Sequence, residues 1–176
     1  MSRILRRHEL VADDWVTLVE PTGVAQPLAM AAPADGAPVI VPFARFRESR
    51  DAWLARSGKL GVLLAPADRV EDLAADLPRI SLVALHFTGP GEGRGYTAAK
   101  LLRQRYHFSG EIRAVGHVKQ DQLYLMARCG IDAFDLSPTE KLEDALATLA
   151  RFKVAYTPGE PIETPLRERF ATQAAH

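Results

Sequence analysis

Residues 82–136 constrain the fold of this chain more than any other stretch. They open with an apolar run, 82–87, that is typical of a buried strand, and continue into a loop with glycine at every second position. That loop, residues 89–96, leads into a segment with helical spacing, 97–106, and two more strand–helix passes follow. Alternating strands and helices predict parallel strands joined by right-handed crossovers. The stretch therefore predicts an α/β protein.

The same rhythm extends back to Val39 and predicts about five parallel strands, at 39–41, 61–65, 82–87, 112–116 and 133–136. The intervening helices are predicted at 48–57, 68–77, 97–106 and 120–129, with Asp68 as the cap of the second and Ser137 as the cap of a last helix. We expect an open, doubly wound sheet of the flavodoxin or receiver type, with a partial β/α barrel as the alternative. Strand order distinguishes the two architectures, and the sequence alone does not contain it.

The chain divides into three parts by pattern. Residues 1–38 are predicted to form a small N-terminal β attachment and a loop, and residues 39–156 the α/β domain. Residues 157–176 carry three prolines and are expected to be a flexible C-terminal tail.

Composition excludes several classes of function. Lys+Arg and Asp+Glu both number 22, so the zero net charge argues against a dedicated nucleic-acid-binding protein. Cys129 is the only cysteine, which excludes an intramolecular disulfide and a four-cysteine zinc or iron–sulfur site. The histidines lack metal-binding spacing, so no metal site is expected. No apolar run approaches the roughly 20 residues of a membrane helix, and a cytoplasmic location is expected.

In α/β proteins the loops after the strands carry function. Here they are residues 66–68, 86–96, 116–121 and 137–139. The glycine loop is predicted to bind an anion or a partner, because a helix start offers free amides to negative groups. The alternative is a flexible loop whose glycines only make the turn. The predicted contacts are Gly91, Gly93, Arg94, Gly95, Tyr96 and Thr97.

The second loop offers His117 and Asp121, a pair that could perform acid–base chemistry. A structural role is the alternative: Asp121 would cap or pair at a helix start and His117 would be an exposed loop residue.

Residues 93–98 match the dinucleotide fingerprint G-x-G-x-x-A between a strand and a helix. The acidic residue that would hold a ribose is missing, because the following strand ends at Gly116 and His117. No cofactor is therefore evident, and a flavin or nucleotide remains an alternative ligand. No complete catalytic motif occurs, so whether the chain is an enzyme stays open; if it is one, an oxidoreductase is expected.

The order and spacing of six short segments resemble a bacterial domain-of-unknown-function family, number nine-three-four, often labelled "probable oxidoreductase". The segments are residues 92–97, 101–103, 105–106, 110–116, 121–123 and 128–134. Two positions depart from the family pattern: Glu92 and His117 each stand where the family usually has aspartate.

The family is typically encoded beside the haemoprotein subunit of assimilatory sulfite reductase. The resemblance thus implies an accessory protein of sulfite reduction for cysteine synthesis. Such a protein would dock on that subunit or on its electron donor and support electron delivery. The alternative is a flavin- or nucleotide-binding oxidoreductase that uses the glycine loop.

Overall fold

The computed structural model describes residues 3–6, 9–18, 34, 36–89 and 91–151. In this part of the chain eight strands form one curled, half-barrel sheet. The strands are β1 (Arg3–Arg6), β2 (Glu9–Ala12), β3 (Val16–Thr17), β4 (Val39–Pro42), β5 (Leu60–Leu64), β6 (Leu82–Phe87), β7 (Glu111–Gly116) and β8 (Ala133–Phe134). The predicted mixed α/β class is confirmed, whereas the strand number exceeds the predicted five.

The strand order is β2-β1-β8-β7-β6-β5-β4-β3. Strands β3 to β8 are parallel and follow one another in chain order, and β1 pairs antiparallel with both β2 and β8. A doubly wound sheet reverses its strand order at a switch point, and this sheet has no reversal among its parallel strands. The flavodoxin-like prediction is therefore wrong, and the order is that of the partial barrel.

The N-terminal strands are part of this same sheet rather than a separate layer, with β1 and β2 at one edge and β3 at the other. The predicted tail, residues 157–176, lies outside the described residues.

The described ranges contain five α-helices, which lie between and after the strands: α1 (Phe43–Glu48), α2 (Arg50–Leu54), α3 (Arg94–Lys100), α4 (Leu123–Arg128) and α5 (Leu142–Arg151). A π-helical turn, Leu101–Arg105, extends α3, and a 3-10 turn, Gln120–Gln122, precedes α4. Further 3-10 turns, Val70–Leu73 and Leu77–Arg79, replace the predicted helix at 68–77.

Two predicted caps have other uses. The Asp68 carboxylate accepts a hydrogen bond from the Ala65 amide at 2.7 Å instead of starting a helix. The Ser137 hydroxyl donates to the Gly116 carbonyl at 3.2 Å, and α5 begins only at Leu142. The predicted helix at 48–57 is replaced by the shorter α2 (Arg50–Leu54), and α1 lies before it, because the backbone at Ser49 (φ −135°, ψ 40°) leaves the helical region.

The helices cover one face of the sheet, as right-handed crossovers between consecutive strands require. Alternate strand residues such as Val62, Val83, Leu85 and Ile112 point toward them. With the helix side chains they form the main core, which includes Phe46, Leu73, Leu102, Leu123, Met126 and Leu149. The C-terminal ends of β5, β6 and β7 are thereby fixed side by side.

The other, inner face of the sheet carries a smaller apolar cluster around Ile40, Leu82 and Ala84, with Trp15 packed against it. A Cβ built on Gly61 would lie 3.2 Å from the Trp15 ring, so glycine leaves room for this indole. Trp15 belongs to the three residues that join β2 to β3. This connection therefore crosses the inner face.

Arg113 lies in the middle of β7 with 2% of its surface exposed. Its guanidinium donates to both carboxylate oxygens of Asp13 at 3.0 Å and to Glu111 at 2.9 Å. A buried arginine of this kind needs charged acceptors. Burial raises the pKa of the nearby Asp135 carboxyl, and Arg113 partly offsets that shift.

No helix in the described ranges is both long enough and apolar enough to cross a membrane.

Candidate functional site

The candidate site lies at the edge of the sheet where β5, β6, β7 and β8 end. The His117 amide donates to the Phe87 carbonyl of β6 at 2.7 Å, which joins the loop after β7 to the loop after β6. The Ser137 amide donates to the Val118 carbonyl at 3.0 Å, which joins the loop after β8 to the loop after β7. The sequence correctly placed these loops at one edge because parallel strands end on the same side.

The glycines of the glycine loop fall into two kinds. A Cβ on Gly95 would lie 2.5 Å from the Phe87 ring, so this position needs glycine for α3 to approach β6. Gly89, Gly91 and Gly93 have open space around the Cβ position, and none has a positive φ. Neither packing nor backbone conformation in the described part of the chain requires glycine at these three positions. Pro90 lies outside the described residues.

Glu92 lies just before α3, two residues ahead of Arg94. Its carboxylate accepts the backbone amide of Arg94 at 3.1 Å, and its own amide donates to the Gly89 carbonyl at 3.2 Å. The helix start thus already holds a carboxylate where a bound anion would be stabilised. An external anion would have to displace Glu92, since two like charges cannot share this position.

A surface groove runs between the glycine loop and the loop after β5. Gly91, Gly93, Arg94 and Thr97 line one wall, and residues 66–71 line the other. The exposed Arg94 side chain reaches across to the Pro66 carbonyl, with 3.4 Å between Nη1 and oxygen. This weak contact leaves most of the guanidinium donors available to a ligand or a partner.

Tyr96 points away from this groove. Its ring packs edge-on against Phe87, with 5.3 Å between the ring centroids. Burial raises the pKa of the Tyr96 hydroxyl, and the nearby Cys129 and Asp121 raise it further. The six predicted contacts are therefore divided: four line the groove, Gly95 is buried below it, and Tyr96 lies toward α4.

His117 and Asp121 are not joined by any hydrogen bond or ion pair among the described contacts. The His117 Nδ1 atom is buried and has no hydrogen-bond partner there, and Asp121 is exposed in the turn before α4. Gly116 has φ +92°, and a Cβ there would lie 2.5 Å from the Phe87 carbonyl. The structure thus brings this loop beside the glycine loop without forming an acid–base pair.

Cys129 is 3% exposed, and burial raises the pKa of its thiol, an effect that Lys100 and Arg128 partly oppose. A protonated, buried thiol is a poor nucleophile. Within the described ranges no cluster of histidine, cysteine, aspartate and glutamate is arranged to hold a metal ion.

Residues 61–166 match the family described as "Bacterial protein of unknown function (DUF934)". The chain belongs to this family. The match covers more than half of the chain, from β5 through α5, and so includes the glycine loop and the second loop. The predicted family is thereby confirmed. A search of curated proteins found no match.

The two loops that line the groove were both among the expected functional loops, but neither the groove nor the contact that crosses it was predicted. The loop after β5 was among the expected functional loops, since it follows a buried strand. That Pro66 faces Arg94 depends on the rotation of α3, which Gly95 sets by packing on Phe87.

Proposed function

We propose that this protein is a cytoplasmic accessory protein of assimilatory sulfite reduction. It docks on the haemoprotein subunit of sulfite reductase, or on the electron donor of that enzyme, and supports electron delivery. The link to sulfite reduction comes from the resemblance of residues 82–156 to the family. Genes of this family typically lie beside the gene for the haemoprotein subunit of assimilatory sulfite reductase.

The observation that carries the docking role is the set of three glycines, Gly89, Gly91 and Gly93, with open space around them. Glycine at a position that neither φ nor packing demands is explained when another molecule approaches the backbone closely. Arg94 follows directly, is exposed, and has only a weak contact within the chain. A partner that covers this loop would meet bare backbone and an available guanidinium together.

A flavin- or nucleotide-binding oxidoreductase is the second candidate, favoured by the position of the glycine loop between β6 and α3. The Glu92 carboxylate at the helix start opposes phosphate binding. Absorption spectra of freshly purified protein and titration with FMN, FAD and NADPH test this candidate. If it is correct, Glu92→Ala binds these ligands more tightly than the wild type.

The central test of the proposed function is Arg94→Ala in a deletion strain. Growth with sulfite as sole sulfur source should fail and growth with sulfide should be normal, because the reductase step alone is impaired. The free energy of unfolding should change by less than about 0.5 kcal/mol, since the side chain is exposed. Urea denaturation checks the stability.

Arg47→Ala is the matched control, because Arg47 is an exposed arginine of α1. It should support growth on sulfite like the wild type. Full complementation by Arg94→Ala would contradict a role for this loop. Normal growth of the deletion strain on sulfite, with no second copy of the gene, would contradict the proposed function itself.

A further inference from the structure

The helix that follows the glycine loop is strongly biased in charge. Between Gly93 and Gly110 the chain has four cationic side chains, Arg94, Lys100, Arg103 and Arg105, and no carboxylate. The whole chain has zero net charge, so this bias is local. It arises in the helix that follows the glycine loop directly.

Arg103 forms its hydrogen bonds within the chain. Its guanidinium donates to the carbonyls of Gly130 at 3.0 Å and Gly110 at 2.9 Å, and it also bonds to Phe108 and Asp132. The other three cations differ, because they are exposed. No carboxylate pairs with the side chains of Arg94, Lys100 or Arg105 among the described contacts.

These three cations lie on one side of the helix. At about 100° per residue, Arg94, Lys100 and Arg105 fall within an arc of roughly 140°, opposite the buried Gly95, Ala99 and Leu102. The exposed side chains between them are Thr97 and Gln104. We call Arg94, Thr97, Lys100, Gln104 and Arg105 the α3 stripe; it is about 16 Å long, from the eleven residue steps between Arg94 and Arg105 at about 1.5 Å each.

We infer that the α3 stripe is the docking face for an acidic protein surface, with Arg94 and the open glycines at the centre of contact and Lys100 and Arg105 steering the approach. Exposed, unpaired cations attract a carboxylate-rich partner over a range of about 10 Å at moderate salt. This inference rests on the proposed function and specifies the chemistry of its partner.

The stripe suits a protein better than a nucleic acid. The stripe itself contains no aromatic side chain, and the half-buried Tyr106 ring beside it faces the Arg105 guanidinium, 5.5 Å from the ring centroid, whereas strand-binding proteins combine cations with aromatic platforms open to bases. The facing wall of the groove adds Asp68 and Glu71, with Arg69 between them. A phosphate backbone is negative along its whole length and would meet these carboxylates, whereas a protein surface can be acidic where it meets the stripe without being acidic where it meets this wall.

The test is a charge reversal, Lys100→Glu with Arg105→Glu, in the full-length chain. Calorimetry measures binding to two probes, the purified haemoprotein subunit of sulfite reductase and its purified electron donor. We expect the variant to bind one of them roughly tenfold more weakly than the wild type, with wild-type binding weakening between about 50 and 300 mM NaCl. Arg47→Glu with Lys59→Glu, the same charge change at exposed positions outside the stripe, should leave binding within about twofold.

The outcomes separate the inference from the proposed function. If the wild type binds a probe and the stripe variant binds equally well, the stripe is not the docking face, although the accessory role survives. If the wild type binds neither probe at any salt concentration, both proposals fail. A labelled single-stranded oligonucleotide that binds the wild type and not the stripe variant would replace the protein partner by a nucleic acid.

Discussion

At the scale of single residues, the glycine loop separates positions that the fold needs from positions that it leaves free. Gly95→Ala should lower the free energy of unfolding by about 1–3 kcal/mol, because the added Cβ would lie 2.5 Å from the buried Phe87 ring. Gly93→Ala is the control and should stay within about 0.5 kcal/mol of the wild type, since its Cβ would meet open space. Urea denaturation measures both, and equal stability of the two variants would contradict this division of the loop.

At the scale of elements, the π-helical turn that extends α3 is attached to the neighbouring strands through Arg103. Its guanidinium joins the carbonyls of Gly110 and Gly130 to Asp132, whose carboxylate also accepts the Ile112 amide at 3.0 Å. Lysine cannot reproduce this planar set of donors, so Arg103→Lys should cost about 2–3 kcal/mol of stability. Arg105→Lys, at an exposed position of the same turn, should cost less than about 0.5 kcal/mol. A thermal melt that fails to separate the two would show that the contacts of Arg103 contribute little.

The apolar pattern of the sequence is sufficient to locate the central elements. The apolar runs of β5, β6 and β7 were located to within a residue or two, because buried parallel strands are apolar on both faces. The glycine loop was correctly placed between β6 and α3 for the same reason. The opposite directions of Arg94 and Tyr96 follow from their two-residue separation in α3, which turns about 200° around the helix axis. They were not predicted because the helix was expected to begin at residue 97, whereas it begins at Arg94.

At the scale of the whole molecule, strand order was beyond the reach of the sequence, because the periodicity of a strand is the same in an open and in a curled sheet. The short connection between β2 and β3 is what distinguishes a curled sheet from an open one. These strands lie at opposite edges of eight strands, about 34 Å apart in a flat sheet. The four residue steps from Ala12 to Val16 span at most about 14 Å. The sheet therefore has to curl, but this follows only once the pairing is known.

Asp13 holds that connection against the inner face through its contact with Arg113, a hundred positions away in the sequence. Asp13→Ala should cost about 3 kcal/mol of stability, because Arg113 is only 2% exposed and would lose one of the two carboxylates, Asp13 and Glu111, that accept its hydrogen bonds. The Trp15 ring next to it should become more exposed, which a red shift of tryptophan emission would report in a Trp53→Phe background.

Asp14→Ala changes the exposed neighbouring residue and should have no effect beyond about 0.5 kcal/mol. If both variants unfold at the same urea concentration and emit alike, the curl does not depend on the Asp13–Arg113 pair, and the apolar cluster around Ile40, Leu82 and Ala84 must hold the connection instead.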